Sequence, residues 1–264
     1  MNKVNVISLG CSKNLVDSEL LLKQLAHAGY RTETDAENSD AEVVVINTCG
    51  FIGDAKEESV NTILEQVERK KAGIVKRLLV MGCLSQRYGN ELRKEIPEAD
   101  AFFFFFDWKG ILADLGQHYE DTLRNQRQLT TPGHYAYLKI AEGCNRTCSY
   151  CAIPIMTGKY QSRGMDEILE ECRELVKNGV KELLVIAQDL TYYGTDLYGR
   201  NKLAELVERI SDIPGVEWIK LHYAYPAAFP EEILKVMRER DNVCKYLDIA
   251  LQHCSDSMLK MMRR

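Results

Sequence analysis

Three apolar runs in the first half of the chain are each followed by a stretch in which apolar residues recur every three or four positions. That spacing predicts a helix after each run. Continuous Val, Ile and Leu runs that alternate with helices are typical of a parallel sheet covered on both faces. The pattern therefore predicts an amino-terminal α/β domain with a doubly wound parallel sheet. Its strands and helices are expected in turn at residues 4–9, 14–28, 42–47, 54–71, 77–81 and 84–96.

A second series of strand and helix pairs is predicted in the carboxy-terminal half. Regular alternation of this kind indicates a β/α barrel, in which functional residues lie just past the carboxyl end of each strand. Only four strands are predicted, so we expect a partial barrel and a chain that is a fragment of a longer one. The strands are expected at residues 135–141, 182–187, 216–221 and 246–251, and the helices at 165–177, 202–210, 230–240 and from 255 onward.

The region between these two series predicts a domain boundary. Residues 121–131 are polar and end in Pro132-Gly133, so we expect a first domain over 1–120, a linker over 121–133 and a second domain over 134–264. Five consecutive phenylalanines at 102–106 are predicted to form a buried strand, because sheets tolerate aromatic residues. A short helix is expected at 108–115.

Composition narrows the class of protein. The 264 residues carry a net charge of −5, which argues against bulk electrostatic binding of nucleic acid. We expect no secretory signal and no membrane span, since no apolar stretch approaches about 18 residues. Nine cysteines without a secretory signal indicate ligands or buried thiols in a reducing compartment. The predicted location is therefore the cytoplasm.

Three of these cysteines, Cys144, Cys148 and Cys151, lie in one short loop after the strand at 135–141. Thiolates are soft ligands that select zinc, copper(I) or iron–sulfur clusters. A structural zinc site normally has a fourth Cys or His nearby, and none occurs in the 20 residues after Cys151. Three ligands offered to a four-iron cluster leave one iron open, and an open iron can chelate a small molecule.

Three more cysteines, Cys11, Cys49 and Cys83, each follow a predicted strand of the first domain. The carboxyl ends of parallel strands line one edge of a sheet, where ligands bind. One such cysteine would be a small core residue by default. Three at equivalent positions favour a shared ligand, and we expect them to converge on a second cluster with an exposed iron. Three others, Cys172, Cys244 and Cys254, are interpreted as buried or incidental thiols.

The motifs resemble those of a known family. The Cys-x-x-x-Cys-x-x-Cys loop closely resembles the signature of radical S-adenosylmethionine (SAM) enzymes. The segments Gly-Cys-Ser-Lys-Asn-Leu-Val-Asp-Ser-Glu at 10–19, Asn-Thr-Cys-Gly at 47–50 and Gly-Cys-Leu-Ser at 82–85 resemble the amino-terminal domain of the methylthiotransferases. The first of these is similar to the branch that modifies an aspartate of ribosomal protein S12, whereas the tRNA-modifying branch typically has Gln-Met-Asn there.

The resemblance implies a cofactor set and site residues. It implies two 4Fe-4S clusters, one on the loop cysteines and an auxiliary one on Cys11, Cys49 and Cys83, with SAM bound at the loop cluster. No catalytic side chain beyond the cluster ligands is expected. Two departures from the family pattern are expected to loosen the site, since Gly164 and Ala250 stand where proline is typical. The residues implied to contact SAM are Tyr150, Ser162, Arg163, Gln188, Asp189 and Gln252.

The implied function is insertion of a methylthio group at the β-carbon of the S12 aspartate, with two SAM molecules consumed. The family also implies an electron donor such as flavodoxin or ferredoxin, a monomer with no membrane partner, and a carboxy-terminal TRAM domain that this chain lacks. The alternatives are a tRNA adenosine methylthiotransferase, a non-catalytic iron–sulfur carrier and, more distantly, a zinc-binding module.

Overall fold

The computed structural model describes residues 3–104 and 107–264. The chain divides into two compact units, residues 1–130 and 131–264. None of the helices in the described ranges combines the length and the apolar character needed to cross a membrane.

The amino-terminal unit is built on a five-stranded parallel sheet in the order β2-β1-β3-β4-β5. A short 3-10 helix at Asp121–Leu123 follows its last α-helix. The other elements are β1 (Lys3–Ser8), α1 (Ser12–His27), β2 (Arg31–Thr34), β3 (Val43–Thr48), α2 (Gly53–Lys71), β4 (Arg77–Gly82), α3 (Cys83–Glu95), β5 (Ala101–Phe102) and α4 (Trp108–Asp114).

Helices cover both faces of this sheet, as the apolar runs predict. Alternate residues of a strand point to opposite faces. On β3, Val44 and Ile46 therefore pack with α2 and α3. Val43 and Val45 pack with α1 and α4 on the other side. The first four residues of β3 are all apolar, so this part of the strand has to be buried on both faces, and all six residues of β3 are buried.

Two features of this unit differ from the sequence-based expectation. Strand β2 was not predicted, because its sequence Arg-Thr-Glu-Thr is polar and the strand lies at the sheet edge. The prediction of a buried strand over 102–106 is wrong for its middle part: the strand ends at Phe102, and Phe104 is 54% exposed. Residues 105 and 106 lie outside the described residues.

The segment after the 3-10 helix is bound to α1 through one buried carboxylate. Glu19 forms an ion pair of 3.1 Å with Arg127, and both side chains are almost fully buried. The same carboxylate accepts hydrogen bonds of 2.8 and 3.0 Å from the amide and hydroxyl of Thr130. A buried charge persists only when it is paired and hydrogen-bonded, so Glu19 fixes residues 127–130 against α1.

The carboxy-terminal unit contains a four-stranded parallel sheet in the order β11-β10-β9-β6 and a two-stranded antiparallel pair, β7-β8. A 3-10 helix at Leu190–Tyr192 follows β9. The elements are β6 (Tyr135–Lys139), β7 (Ala141–Glu142), α5 (Ile153–Thr157), β8 (Gln161–Ser162), α6 (Met165–Lys177), β9 (Glu182–Ile186), α7 (Thr195–Tyr198), α8 (Leu203–Ser211), β10 (Trp218–Ala224), α9 (Glu232–Glu239), β11 (Val243–Ile249) and α10 (Asp256–Met261).

This sheet is an arc of a β/α barrel, because its strands are parallel and neighbours in the sheet follow one another in sequence. The four predicted strands and four predicted helices are all present. The short elements α5, β7, β8 and α7 were not predicted, since segments of two to five residues carry too few positions to show a period. The amide of Ala250 donates a 3.4 Å hydrogen bond to Ala224, which a proline there would remove.

Replacing Arg127 with Met should cost about 3–5 kcal/mol of unfolding free energy, because Glu19 would remain buried without its cation. Chemical denaturation of the two proteins measures the difference. The control is Lys109→Met, whose ion pair with Asp121 is exposed and should contribute at most about 1 kcal/mol. Equal losses for the two variants would contradict the structural role given to Glu19.

Replacing Gly164 with Pro should stabilise the protein by about 0.4–1 kcal/mol, because proline restricts the unfolded chain without straining this position. Gly164 precedes α6 with φ −59°, which is the proline value. Thermal unfolding measures the effect. Ala250→Pro is the comparison, and it should stabilise less because it removes a hydrogen bond; the reverse order would contradict this reading.

Candidate cluster and cofactor site

The structure places Cys11, Cys49 and Cys83 at one edge of the first sheet. Cys11 lies between β1 and α1, Cys49 follows β3 directly, and Cys83 begins α3 after β4. Strands β1, β3 and β4 are adjacent and parallel. Their carboxyl ends therefore bring the three cysteines to neighbouring positions along this edge.

One buried asparagine joins these strand ends. The Asn14 amide nitrogen donates to the carbonyls of Leu9 and Thr48 at 2.9 and 3.0 Å. Its side-chain oxygen lies 3.7 Å from the sulfur of Cys83. Gly10 has φ +95°, and a Cβ there would stand 3.0 Å from the sulfur of Cys49. The edge thus requires an asparagine in α1 and a residue without a side chain beside Cys49.

The electrostatics of this trio are set by burial and by helix ends. Burial raises the pKa of the Cys49 thiol, and the nearby Cys11 acts in the same direction. The backbone amide of Phe51 donates a hydrogen bond to the Cys49 thiol and lowers its pKa. Cys11 and Cys83 stand at the amino ends of α1 and α3, where a helix carries its partial positive charge.

The second trio lies on a loop closed by backbone hydrogen bonds. The amide of Cys144 donates to Gly158 at 3.2 Å, and that of Cys151 donates to Cys148 at 3.1 Å. The Asn145 side chain accepts from the amide of Tyr160 at 3.0 Å. These bonds hold all three cysteines between β7 and α5.

Burial raises the pKa of the Cys144 and Cys151 thiols, and the neighbouring cysteines of the loop add to the effect. Backbone amides lower the pKa of both thiols. The Arg146 amide donates a hydrogen bond to the Cys144 sulfur at 3.4 Å, and the Ile153 amide donates one to the Cys151 sulfur. The three sulfurs are therefore close enough to influence one another's charge.

The thiols fit an iron–sulfur cluster in their chemistry. Each trio offers only sulfur ligands, which hold such clusters, and each contains a buried thiol that accepts a backbone hydrogen bond. Within residues 3–104 and 107–264, no group of three or more His, Cys, Asp or Glu side chains is arranged to hold a metal ion.

Asp189, one of the residues implied to contact SAM, is bonded directly to the cysteine loop. Its buried carboxylate accepts from the Arg146 guanidinium at 2.7 Å and from the hydroxyl of Thr191 at 2.6 Å. Gln188 precedes it and donates to Glu142, while its own side-chain oxygen is buried without a hydrogen-bond partner in the described residues. This pair follows β9, so it occupies the strand-end position expected of a barrel site.

Ser162 and Arg163 are engaged in bonds within the protein. The hydroxyl of Ser162 donates to Asp196 at 2.6 Å. The Arg163 guanidinium pairs with Glu167 at 3.0 Å and with Glu171 at 2.6 Å. Burial alone would lower the pKa of Arg163, but the two carboxylates raise it above its ordinary value. The pair therefore ties β8 to α6 and α7.

Tyr150 and Gln252 lie at the surface. Tyr150 is 50% exposed, and its hydroxyl accepts a 3.0 Å hydrogen bond from Arg264. Gln252 is exposed and has φ +68°, a left-handed conformation that is rare outside glycine. Their contact with SAM stays a prediction, as does that of the other four residues.

Sequence reasoning missed several residues at these sites. Asn14 falls within a recognised motif but carries no chemistry that marks it as a bridge between strand ends. Arg146 lies inside the cysteine loop, and its charge next to a buried carboxylate is visible only in the fold. Tyr225 and Arg264 contact Cys148 from 77 and 116 positions away, a separation over which sequence spacing gives no signal.

Gly143→Ala should reduce iron bound at the loop more strongly than Gly158→Ala does. Both glycines have positive φ, +75° and +74°, so both variants strain the backbone. Only at Gly143 would the added Cβ also meet backbone, at 2.2 Å from the Lys159 oxygen. Iron and sulfide counts after anaerobic reconstitution measure the effect. Equal loss in the two variants would show that this close approach is not needed.

Two family models match the chain. The model of an uncharacterized protein family, UPF0004, matches residues 3–104, and that of the Radical SAM superfamily matches residues 138–264. The second match implies a 4Fe-4S cluster and SAM.

Curated relatives match across nearly the whole chain. A ribosomal protein uS12 methylthiotransferase RimO from Bacteroides thetaiotaomicron is 65% identical over 99% of this chain, and that from Parabacteroides distasonis is 64% identical over 100%. The protein of the same name from Cytophaga hutchinsonii is 51% identical over 99%. The chain spans about 60% of the length of these relatives.

Solved structures share the fold at low sequence identity. The cobalamin-dependent SAM radical enzyme OxsB, with aqua-cobalamin and SAM bound, has a TM-score of 0.62 at 12% identity and covers 99% of this chain and 45% of its own. The radical SAM methyltransferase TsrM from Kitasatospora setae, with cobalamin and a [4Fe-4S] cluster bound, has a TM-score of 0.63 at 12% identity, covering 98% of this chain and 62% of its own. The matched domains, the identities and the two cysteine trios agree: the chain belongs to the methylthiotransferase family of radical SAM enzymes.

Proposed function

We propose that the protein to which this chain belongs inserts a methylthio group at the β-carbon of an aspartate of ribosomal protein uS12. The observation that carries the proposal is that both cysteine trios occur in a chain 65% identical to a protein named for this activity. A radical SAM enzyme in general needs the loop trio only. A second trio at the edge of a separate sheet supplies a place for the sulfur.

The proposal includes two 4Fe-4S clusters, one held in the second unit by Cys144, Cys148 and Cys151 and the other in the first unit by Cys11, Cys49 and Cys83. When bound, they supply an electron for reductive cleavage of SAM and an iron that carries sulfur. The thiols must lose their protons to serve as ligands, and burial makes that loss costly. The backbone amides beside them offset part of the cost.

The chain's own side chains position the cofactor. Arg146 and Asp189 form a part-buried ion pair of 2.7 Å that holds the cysteine loop to the end of β9. The side-chain oxygen of Gln188, which has no hydrogen-bond partner among the described residues, can accept a hydrogen bond from an amino group of SAM, because a buried acceptor without a partner is costly. Arg163 acts as a positioning residue, because its guanidinium already holds two glutamates.

The proposed partners follow from this chemistry. An electron donor such as flavodoxin or ferredoxin reduces the cluster, ribosomal protein uS12 is the substrate, and the enzyme works as a monomer in the cytoplasm. The name shared by the relatives supports uS12 as the substrate.

Two single substitutions in the full-length protein separate the roles of the trios. Cys144→Ala should abolish formation of 5′-deoxyadenosine from SAM under dithionite. Cys11→Ala should retain it but yield no methylthio group on a peptide bearing the uS12 aspartate, because only the auxiliary ligand is lost. Liquid chromatography and mass spectrometry measure both products. The control is Cys254→Ser, an exposed thiol outside both trios, which should leave both unchanged.

Three outcomes would contradict the proposal. No SAM cleavage by the wild-type protein would indicate an iron–sulfur carrier. Modification of tRNA adenosine without modification of the peptide would indicate the other branch of the family. Full peptide modification by the Cys11→Ala variant would exclude a role for the auxiliary trio.

A further inference from the structure

Tyr225 lies beside the cysteine loop under two guanidinium groups. It follows β10 directly. The guanidinium carbon of Arg146 lies 4.1 Å from the centre of its ring, and that of Arg264 lies 4.4 Å away. Distances of this size fall within the range in which a cation is attracted to an aromatic face. The two arginines therefore fix the orientation of the tyrosine.

The same residues reach one sulfur of the loop. The Tyr225 hydroxyl lies 3.7 Å from the sulfur of Cys148, and a guanidinium nitrogen of Arg264 also lies 3.7 Å from it. Arg264 donates in addition to the hydroxyl of Tyr150 at 3.0 Å. Cys148 thus differs from Cys144, whose sulfur accepts from a backbone amide.

Both arginines are held in place by contacts of their own. Arg146 is paired with the buried carboxylate of Asp189. Arg264 donates to the carbonyl of Ala250, and the amide of Ser149, next to Cys148, donates to Met262 at 3.0 Å. The segment after α10 is therefore joined to the cysteine loop by a backbone hydrogen bond, which keeps the Arg264 guanidinium near the sulfur.

We propose that Tyr225 and Arg264 are positioning residues that raise the reduction potential of the cluster held by Cys144, Cys148 and Cys151. The inference rests on the proposed function in requiring that cluster. Reduction adds one negative charge to the cluster and its thiolates. Hydrogen bonds to the ligand sulfurs and nearby positive charge stabilise the reduced form more than the oxidised form. The phenol donates to the Cys148 thiolate, and the guanidinium brings both a donor and a charge.

Among the sulfur contacts of the loop, these can be removed without altering the backbone. Tyr225→Phe deletes the hydroxyl and keeps the ring under the two guanidinium groups. Arg264→Gln removes the charge, whereas Arg264→Lys keeps it and loses the planar fork. The series therefore separates the hydrogen bond, the charge and the packing.

The test is a redox titration of the reconstituted full-length protein with dithionite, followed by electron paramagnetic resonance. The loop cluster is identified as the signal that changes when SAM is added. Tyr225→Phe should lower the ratio of reduced to oxidised cluster about tenfold at a fixed potential, equivalent to a midpoint about 59 mV more negative for one electron. Arg264→Gln should lower it at least as much, and Arg264→Lys should recover part of the loss.

Tyr246→Phe is the matched control, because it deletes a phenol from the same unit on β11, where the ring is 57% exposed and contacts Lys220. Its midpoint should equal that of the wild type. Unchanged midpoints in Tyr225→Phe and Arg264→Gln, at wild-type iron content, would overturn the inference and leave the proposed function standing. A wild-type protein without any SAM-sensitive signal would overturn the proposed function, and the inference with it.

Discussion

The common direction of the strands is the constraint on which both sites depend. In each unit the main sheet is parallel, so every strand ends at the same edge. A residue just past a strand end therefore meets residues far from it in sequence. In the first unit this gathers Cys11, Cys49 and Cys83, and in the second it places Asp189 and Tyr225 around the cysteine loop. In the first unit, apolar side chains buried on both faces of the sheet hold the strands in place.

Buried polar groups convert this general arrangement into two defined sites. Asn14 satisfies the carbonyls of two adjacent strand ends with one side chain. In the second unit, the carboxylate of Asp189 accepts hydrogen bonds from Arg146 and Thr191 and so joins the cysteine loop to the end of β9. Since an unsatisfied buried group costs about 1–3 kcal/mol, each of these side chains specifies one local arrangement and disfavours others. These hydrogen bonds fix the backbone segments that carry the cysteines.

The two trios differ in how their geometry arises. The loop trio is local, and backbone hydrogen bonds from Cys144 to Gly158 and from Cys151 to Cys148 shape it. The sheet-edge trio is assembled from three β-α turns, and a helix begins at or beside two of its members. The first needs a glycine where the chain approaches itself, at Gly143, and the second needs one at Gly10 beside Cys49. Each trio is thus built by the turn chemistry of its own unit.

The sequence by itself determined the order of the main strands and helices, the parallel character of both sheets and the identity of the six candidate ligands. These are encoded in hydrophobic period and in residue type, both of which are local. It did not determine the polar edge strand β2, the end of β5 at Phe102 or the engagement of Arg163 with two glutamates. It also gave no sign that Tyr225 and Arg264 reach Cys148. Such contacts join residues that are distant in the chain, and only the packing of complete strands and helices brings them together.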